Sequence, residues 1–311
     1  MRSVLKYSIL VLSASALLQS CFTGVESTPK ITDSDVRRER LTVTPEMEFL
    51  SDVRPEPFAG WLPGKPFFVT DNKIGIIFSG SVSDDDRPAA GDTILWIRSS
   101  GAVSVTGDSV ADLVFARKGY DNELVYRVNA SPSALLRRGS VEIPFTIDLS
   151  AVEAASGRLD GRKLFILTPL WYDKDEKAVG GRRFVEVTVN SVAAGNHVYP
   201  LKVMFTADDG QERCVFLSLA GSENSAMRNF ATVFSFTDPH RRYPSVTDAN
   251  WRLIQQSKVA LGMTRDECRL ALGPPAELDR RPATAGVVEV WNYDDGQYLI
   301  FQDGLLTRFR R

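Results

Sequence analysis

Short apolar runs separated by turn signals dominate the chain between residues 56 and 243. The runs are rich in β-branched and aromatic residues, and they recur at intervals of roughly 8–15 residues with no long helical period between them. This spacing is typical of antiparallel sheets built as a sandwich or a barrel. The runs predicted as strands are 67–69, 73–78, 93–97, 123–128, 141–147, 163–167, 183–189, 198–205, 212–219 and 230–236.

Residues 245–311 change to two helices followed by strands. Segment 245–256 has helical spacing of its apolar residues. Thr264 is followed by Glu267 three residues later, which predicts a capping box at the start of a second helix. Gly273 with Pro274 after it predicts where that helix ends.

Three strands are predicted after the second helix, separated by two hairpin turns that end in glycine. The strands are 287–293, 297–301 and 305–310, and the turns are 294–296 and 302–304. The predicted fold class is therefore α+β overall: a β-rich antiparallel sandwich or barrel-like middle region, followed by a small two-helix, three-strand (ααβββ) domain.

Five short motifs follow one another in this tail. In chain order they are Gly262-Met263-Thr264, Leu272-Gly273-x-Pro275, Trp291-x-Tyr293, Tyr298-x-x-Phe301 and Asp303-Gly304. The ordered set resembles the SmpA/OmlA family, the BamE-like domain of outer-membrane lipoproteins. The resemblance implies two helices packed on a three-stranded antiparallel sheet and a protein-binding module without catalytic activity.

The resemblance also implies what kind of partner to expect. BamE itself is an accessory of the β-barrel assembly machine, and an inhibitor of β-lactamases has the same general shape. This chain differs from BamE because a long β-rich region precedes the domain, so the resemblance implies protein binding more firmly than membership of that machine. The expected partner-binding residues are Trp291, Tyr293 and Tyr298, on or near the open sheet face or an exposed edge.

The N-terminus reads as an export signal. Arg2 and Lys6 precede an apolar run over 7–18 that is too short to span a bilayer. The run ends at Leu18-Gln19-Ser20-Cys21, which resembles a bacterial lipobox. The resemblance implies that Cys21 is acylated, with palmitate among the attached chains, and becomes the first mature residue. The alternative is an ordinary secreted protein with a chance cysteine.

The residues after Cys21 bear on localisation. Phe22 follows the cysteine, and in the lipoprotein sorting rule an Asp at that position retains the protein at the inner membrane. The lipobox resemblance therefore implies the outer membrane. Segment 22–28 carries one acidic residue, Glu26, rather than an acidic surface-display signal, which favours the periplasmic face.

The predicted organisation has five parts. They are a signal peptide (1–20), the lipidated cysteine and a flexible tether (21–55), a β-rich domain (56–138), a second β-rich domain (139–243) and the BamE-like domain (245–311).

Composition excludes some partners and some chemistry. The 311 residues carry a formal net charge of −2, so no basic excess points to nucleic acid. Cys214 and Cys268 are expected to be small buried hydrophobes, with pairing in an oxidising envelope left open. No His or Cys pair has metal-ligand spacing, and no metal or cofactor is predicted. The expected partners are outer-membrane lipid, through Cys21, and envelope proteins.

Catalytic candidates are few. His197 is interpreted as a hairpin residue, and His240 as part of a loop or an interdomain charge cluster. No Gly-x-Ser-x-Gly elbow stands between a strand and a helix. The acidic runs 84–86 and 173–176 fit no calcium loop and are interpreted as solvated. No catalytic residue is therefore predicted.

Aromatic residues are the remaining binding candidates. Trp171 and Tyr172 end a strand just before an acidic loop, and could form a platform for a glycan or a peptide. The predicted function is a non-enzymatic envelope lipoprotein that binds proteins at the outer membrane, with an accessory role in outer-membrane or barrel assembly as one form of that function. The alternative is a glycan-binding or enzyme-inhibitory periplasmic lipoprotein. A hydrolase with a site in residues 141–245 is the weakest of the hypotheses.

Overall fold

A computed structural model describes residues 43–79, 87–219, 228–283 and 286–310 of the chain. Within these residues the chain forms three antiparallel sheets with a few helices between them. The mixed, β-rich character predicted from the sequence is therefore confirmed. Thr44–Arg311 form one compact unit. Cys21, most of the predicted tether and the acidic run 84–86 lie outside the described residues.

The first sheet has six strands. They are β1 (Lys65–Val69), β2 (Phe78–Ser79), β3 (Thr93–Val103), β4 (Ser109–Arg117), β5 (Leu124–Val128) and β6 (Thr146–Asp148). Their spatial order is β2-β5-β4-β3-β1-β6. Because β6 pairs with β1, this sheet continues past the predicted boundary at residue 138. A short helix α1 (Pro45–Glu48) precedes the sheet, and α2 (Pro132–Leu135) follows β5.

Helix α3 (Leu149–Leu159) follows β6 directly and contradicts the expectation that no long helix interrupts the β region. Asp148 caps it by accepting a hydrogen bond from the Ser150 backbone N–H at 2.9 Å. Its buried residues are Ala151, Val152, Ala155 and Leu159, a helical stripe that small alanines make hard to see as an apolar pattern. The helix packs against β1 and against β10 (Val185–Ala194) of the second sheet.

The second sheet has seven strands. Besides β10 they are β7 (Lys163–Ile166), β8 (Leu170–Tyr172), β9 (Ala178–Gly180), β11 (Leu201–Ala207), β12 (Glu212–Leu217) and β13 (Phe234–Ser235). Their order is β13-β7-β10-β11-β12-β8-β9. Among the described strands, both sheets end in edge strands and neither sheet closes into a barrel.

Two predicted strands are helical instead. Segment 73–78 forms a 3-10 helix, Asn72–Ile77, and the run from residue 230 begins as helix α4 (Phe230–Val233) before β13. In each case the preceding side chain caps the turn: Asp71 accepts from the Lys73 backbone N–H, and Asn229 from that of Thr232. Local capping has outweighed the β-propensity of the apolar residues.

The predicted tether is too long at its C-terminal end. Leu50 and Val53 are buried in the core of the second sheet. The Arg158 guanidinium donates to both carboxylate oxygens of Asp52, one of them at 2.7 Å. Residues 44–55 therefore belong to the folded part, and the correction follows from long-range packing that a local polar composition does not reveal.

The tail contains two helices and a four-stranded sheet. The helices are α5 (Asp248–Gln255) and α6 (Arg265–Leu272), and the strands are β14 (Glu277–Ala283), β15 (Gly286–Asn292), β16 (Tyr298–Gln302) and β17 (Leu305–Arg310), in that spatial order. The predicted capping box is confirmed: Thr264 and Glu267 cap each other's backbone N–H groups. Gly273 has φ 88°, as the predicted helix end requires.

The expected three-strand count is wrong by one strand, β14. Its sequence, Glu-Leu-Asp-Arg-Arg-Pro-Ala, is highly charged and contains Pro282, so it lacks the apolar alternation that marks a buried strand. Charged residues and proline are features of edge strands, and β14 is an edge that pairs only with β15 among the described strands.

The tail shares its core with the second sheet. Phe184, from the turn before β10, packs edge-on against Trp251 of α5 with ring centroids 5.9 Å apart. Arg183 donates to the backbone carbonyl of Leu270 in α6 at 3.0 Å, and burial lowers the pKa of its guanidinium. In the part of the chain described, no helix has the length and apolar character needed to cross a membrane.

Candidate functional site

The two faces of the tail sheet differ in what covers them. On one face, helices α5 and α6 bury the central strands, including Trp291, Leu299 and Phe301. The opposite face carries Val288, Val290 and Ile300, half-buried side chains that stand outside all three hydrophobic cores of the described residues. This second surface is called the open face below.

The pairing register arranges the open face in three rows that cross all four strands, written from β14 to β17. The rows are Glu277–Asn292–Tyr298–Arg310, Asp279–Val290–Ile300–Arg308 and Arg281–Val288–Gln302–Leu305. Paired residues of antiparallel strands point to the same side of a sheet, so each row lies on one face. In the first two rows an acidic residue stands at one edge and an arginine at the other, with apolar or uncharged side chains between them.

Of the three predicted partner-binding residues, Trp291 must be corrected. It is fully buried, at 0% exposure, in the core beneath α6. Its indole contacts Phe301, with ring centroids 4.7 Å apart, and Arg269 lies over it at 5.2 Å. The alternation of β15 decides this, because Trp291 is on the opposite side of the strand from Val290.

Tyr293 and Tyr298 also separate. The Tyr293 hydroxyl donates to the Gly273 carbonyl at 3.2 Å, which ties the end of α6 to the sheet. Burial raises the pKa of Tyr293 to about 12. Tyr298 lies on the open face, between Asn292 and Arg310, and is half-buried. Of the three residues, the structure therefore places only Tyr298 on the open face.

Beside Trp291, the helix-covered face holds a buried carboxylate. Glu289 accepts hydrogen bonds from Arg280 at 2.6 and 2.8 Å and from Arg265, and its side chain is 3% exposed. Burial alone would raise the pKa of Glu289, but hydrogen bonds from Arg280, Trp291 and Arg265 outweigh it, so the pKa lies below its ordinary range. This cluster fixes α6 and β14 to the sheet.

The predicted ligand platform at Trp171 and Tyr172 is not formed as a pair. Trp171 is 4% exposed, lies in the core of the second sheet and packs edge-on against Phe205 at 5.2 Å. Its indole N–H donates to the Thr168 carbonyl at 2.8 Å, so its polar atom is also used internally. Tyr172 faces the other way and contacts Phe216 at 5.0 Å. A strand end alternates its side chains, so adjacent aromatics cannot share one face.

The two histidines lie in different connecting segments of the chain. His197 is exposed in the turn between β10 and β11, as the sequence predicts. The His240 ring contacts Asp238 through Nδ1 at 2.6 Å and stacks on Trp251 at 4.1 Å, so this loop packs against the tail. Within the described ranges, no three His, Cys, Asp or Glu residues are grouped so as to hold a metal ion.

The cysteines behave as expected. Cys214 and Cys268 are both buried and free rather than paired. Burial raises the pKa of each thiol, to about 12 for Cys268. Neither thiol is therefore a thiolate nucleophile at neutral pH.

Sequence reasoning missed the Glu289 cluster and also a second buried polar cluster, at Lys65 in β1. Its ammonium donates to Glu56 at 3.0 Å, Asp148 at 2.9 Å and Ser150 at 3.1 Å. The aromatic rings of Trp61 and Phe67 lie 5.6 Å from the same nitrogen. The contacts of this cluster join residues up to 94 positions apart in the chain, so no local signal could have shown them.

The Lys65 cluster resembles a Ser–Lys pair only in composition. The Ser150 hydroxyl accepts from the Lys65 ammonium at 3.1 Å and donates to Asp148 Oδ1 at 2.7 Å, so its proton is directed at a carboxylate rather than at the lysine nitrogen. The arrangement instead joins the start of α3 to the first sheet.

Comparisons with known proteins add no assignment. The chain matches no protein-family model, and no curated protein matches it. The resemblance of the tail to the SmpA/OmlA family accordingly stays a prediction based on its five motifs.

Proposed function

We propose that this protein is a non-enzymatic envelope lipoprotein, held at the outer membrane by acylated Cys21, whose tail binds protein partners. The observation that carries the proposal is the open face of the tail sheet. It presents Val288, Val290, Ile300 and Tyr298 between two charged edges, while both helices pack on the other side.

Physical chemistry supports protein recognition at such a surface. A half-buried apolar centre offers apolar surface that a partner can remove from water, and charged residues around it fix the orientation of that partner. A sheet face that no described element covers is costly for a free chain to display and is commonly a place of contact. The face is also separate from the buried polar clusters at Glu289 and Lys65, in which those two side chains are hydrogen-bonded inside the protein.

The lipid anchor rests on the lipobox at Leu18–Cys21. Helix α1 begins at Pro45, so 23 residues, 22–44, separate it from Cys21 in the sequence. At about 3.5 Å per residue such a segment reaches at most about 80 Å, enough to let the folded part stand off a membrane. Labelled palmitate should enter the wild type and not Cys21→Ser.

Affinity capture from detergent-solubilised membranes tests the docking surface. The full acylated chain is compared with Ile300→Glu, which places a charge at the centre of the open face. The matched control is Ile76→Glu, since Ile76 is 76% exposed and lies outside the tail. Proteins captured by the wild type and the control, but not by Ile300→Glu, support the proposal. Equal capture by all three would reject the open face as the site.

A further inference from the structure

The order of charges across the open face is self-complementary. Glu277 and Asp279 lie on β14 at one edge, and Arg310 and Arg308 lie in the same two rows on β17 at the other. Three strand spacings of about 4.8 Å separate the two edges by about 14 Å. All four residues lie on the open face, on the two edge strands of the tail sheet. Val290 and Ile300 lie between Asp279 and Arg308 in the same row.

A two-fold axis that runs parallel to the strands, between two such faces, reverses the order of the strands in the second copy. It therefore places β14 of each copy over β17 of the other, so acid faces base at both edges. A two-fold axis perpendicular to the strands would instead place β14 over β14 and β17 over β17, so that in the middle row Asp279 faces Asp279 and Arg308 faces Arg308. Only the first arrangement opposes both acidic residues of β14 to the arginines of β17.

We propose that the open face binds a second copy of this chain in a symmetric, face-to-face dimer. The inference rests on the proposed function, because it names a partner for the same surface. Sheets pack face to face about 10 Å apart with their strands within about 30° of alignment, which keeps each edge over its opposite edge.

The register identifies the contacts of the dimer. Asp279 faces Arg308 of the second copy, and Val290 faces its Ile300. In the first row, Glu277 faces Arg310 and the uncharged Asn292 faces the Tyr298 ring. In the third row, Arg281 faces the uncharged Leu305 of the second copy, so no like charges are opposed. Within its own strand, Arg281 is paired with Asp279.

The size of the open face sets the affinity expected for the dimer. Four strands at about 4.8 Å and three rows at about 7 Å give a projected area of about 400 Å². A standard stable interface uses about 800 Å² per partner, so the dimer is weak and reversible. Association is therefore measured at high micromolar protein concentrations.

Sedimentation equilibrium of the full chain in density-matched detergent tests the inference. We expect a monomer–dimer equilibrium for the wild type. Arg308→Glu with Arg310→Glu makes both edges acidic, and Glu277→Lys with Asp279→Lys makes both edges basic. Each double variant should dissociate about tenfold more readily or worse, because like charges then face each other.

An equal mixture of the two double variants should restore association, as a heterodimer whose edges are again opposite in charge. The control is Arg137→Glu with Arg138→Glu, two exposed arginines outside the tail that carry the same change of net charge. It should associate like the wild type.

A monomeric wild type at every concentration, or a mixture of variants that fails to associate, would overturn the dimer. The proposed function would survive that result if Ile300→Glu still lost its captured proteins, since the open face would then serve a different protein. A dimer that forms normally while no other protein is ever captured would support the inference and leave self-association as the role of the surface.

Discussion

Replacing Lys65 by Met should destabilise the protein more than any surface charge change. The Lys65 and Asp148 side chains are 4% and 8% exposed, and their charged atoms are 2.9 Å apart. Removing the lysine leaves the Asp148 carboxylate buried without a counter-ion, a loss of about 3–5 kcal/mol in unfolding free energy. Met fills most of the same space, so the loss is electrostatic rather than a cavity.

Two further variants separate the electrostatic cause from lost packing. Glu56, the other carboxylate of the cluster, is 41% exposed, and Glu56→Gln should cost at most about 1 kcal/mol. Adding Asp148→Asn to Lys65→Met should recover part of the loss, because the unpaired buried charge disappears while the side chain can still cap α3.

Equilibrium unfolding in guanidinium chloride, followed by tryptophan fluorescence, measures these differences. Lys163→Met is the matched control, since Lys163 is 69% exposed and pairs at 3.3 Å with Glu186, itself 53% exposed. Its unfolding midpoint should stay near that of the wild type. A Lys65→Met midpoint no lower than that of Lys163→Met, or a double variant less stable than Lys65→Met alone, would refute the reasoning.

Three other predictions concern the tail and the N-terminal segment. Glu289→Gln removes the carboxylate that two arginines share, and should lower the unfolding free energy by about 1–3 kcal/mol, measured in the same assay. Gly273→Ala places a Cβ at φ 88° and should cost about 1–3 kcal/mol, whereas Gly139→Ala, where no positive φ is required and the space is open, should change little. Hydrogen bonds from Arg158 lower the pKa of Asp52 from 3.8 to about 2. The stability from this pair is thus fully present above pH 3.8 and lost as the pH falls through 2. Protection of the backbone amides of residues 44–55 from hydrogen exchange, relative to the intrinsic rate at each pH, should fall across that range in the wild type. Asp52→Asn should show no such step.

Much of the tail could be predicted from the sequence because its signals are local. The capping box of Thr264 and Glu267, the glycine at residue 273 and the two glycine-containing turns each act within a few residues. Strand β14 was not predicted because an edge strand need not be apolar. In the middle region the same local reasoning found most strands, but it missed α3, whose buried stripe consists largely of alanine.

The candidate site depended more on tertiary structure. Trp171, Trp291 and Tyr298 are all aromatic residues in strand-like sequence, and from residue type alone each is an equal candidate for binding a ligand or a partner. The side of the strand on which each one falls, and whether helices cover that side, makes Trp171 and Trp291 core residues and leaves Tyr298 on the open face.

The sequence by itself determined a β-rich antiparallel chain, a helix pair with its caps and two buried cysteines, since propensity, capping and periodicity act over short distances. The lipobox stays a prediction from the sequence. Only the tertiary structure decided which face of the tail sheet stays uncovered, which strand edges carry opposite charges, and which residues surround Lys65. Those outcomes depend on contacts between residues far apart in the chain, and alternation along a strand shows that two faces exist without showing what covers either one.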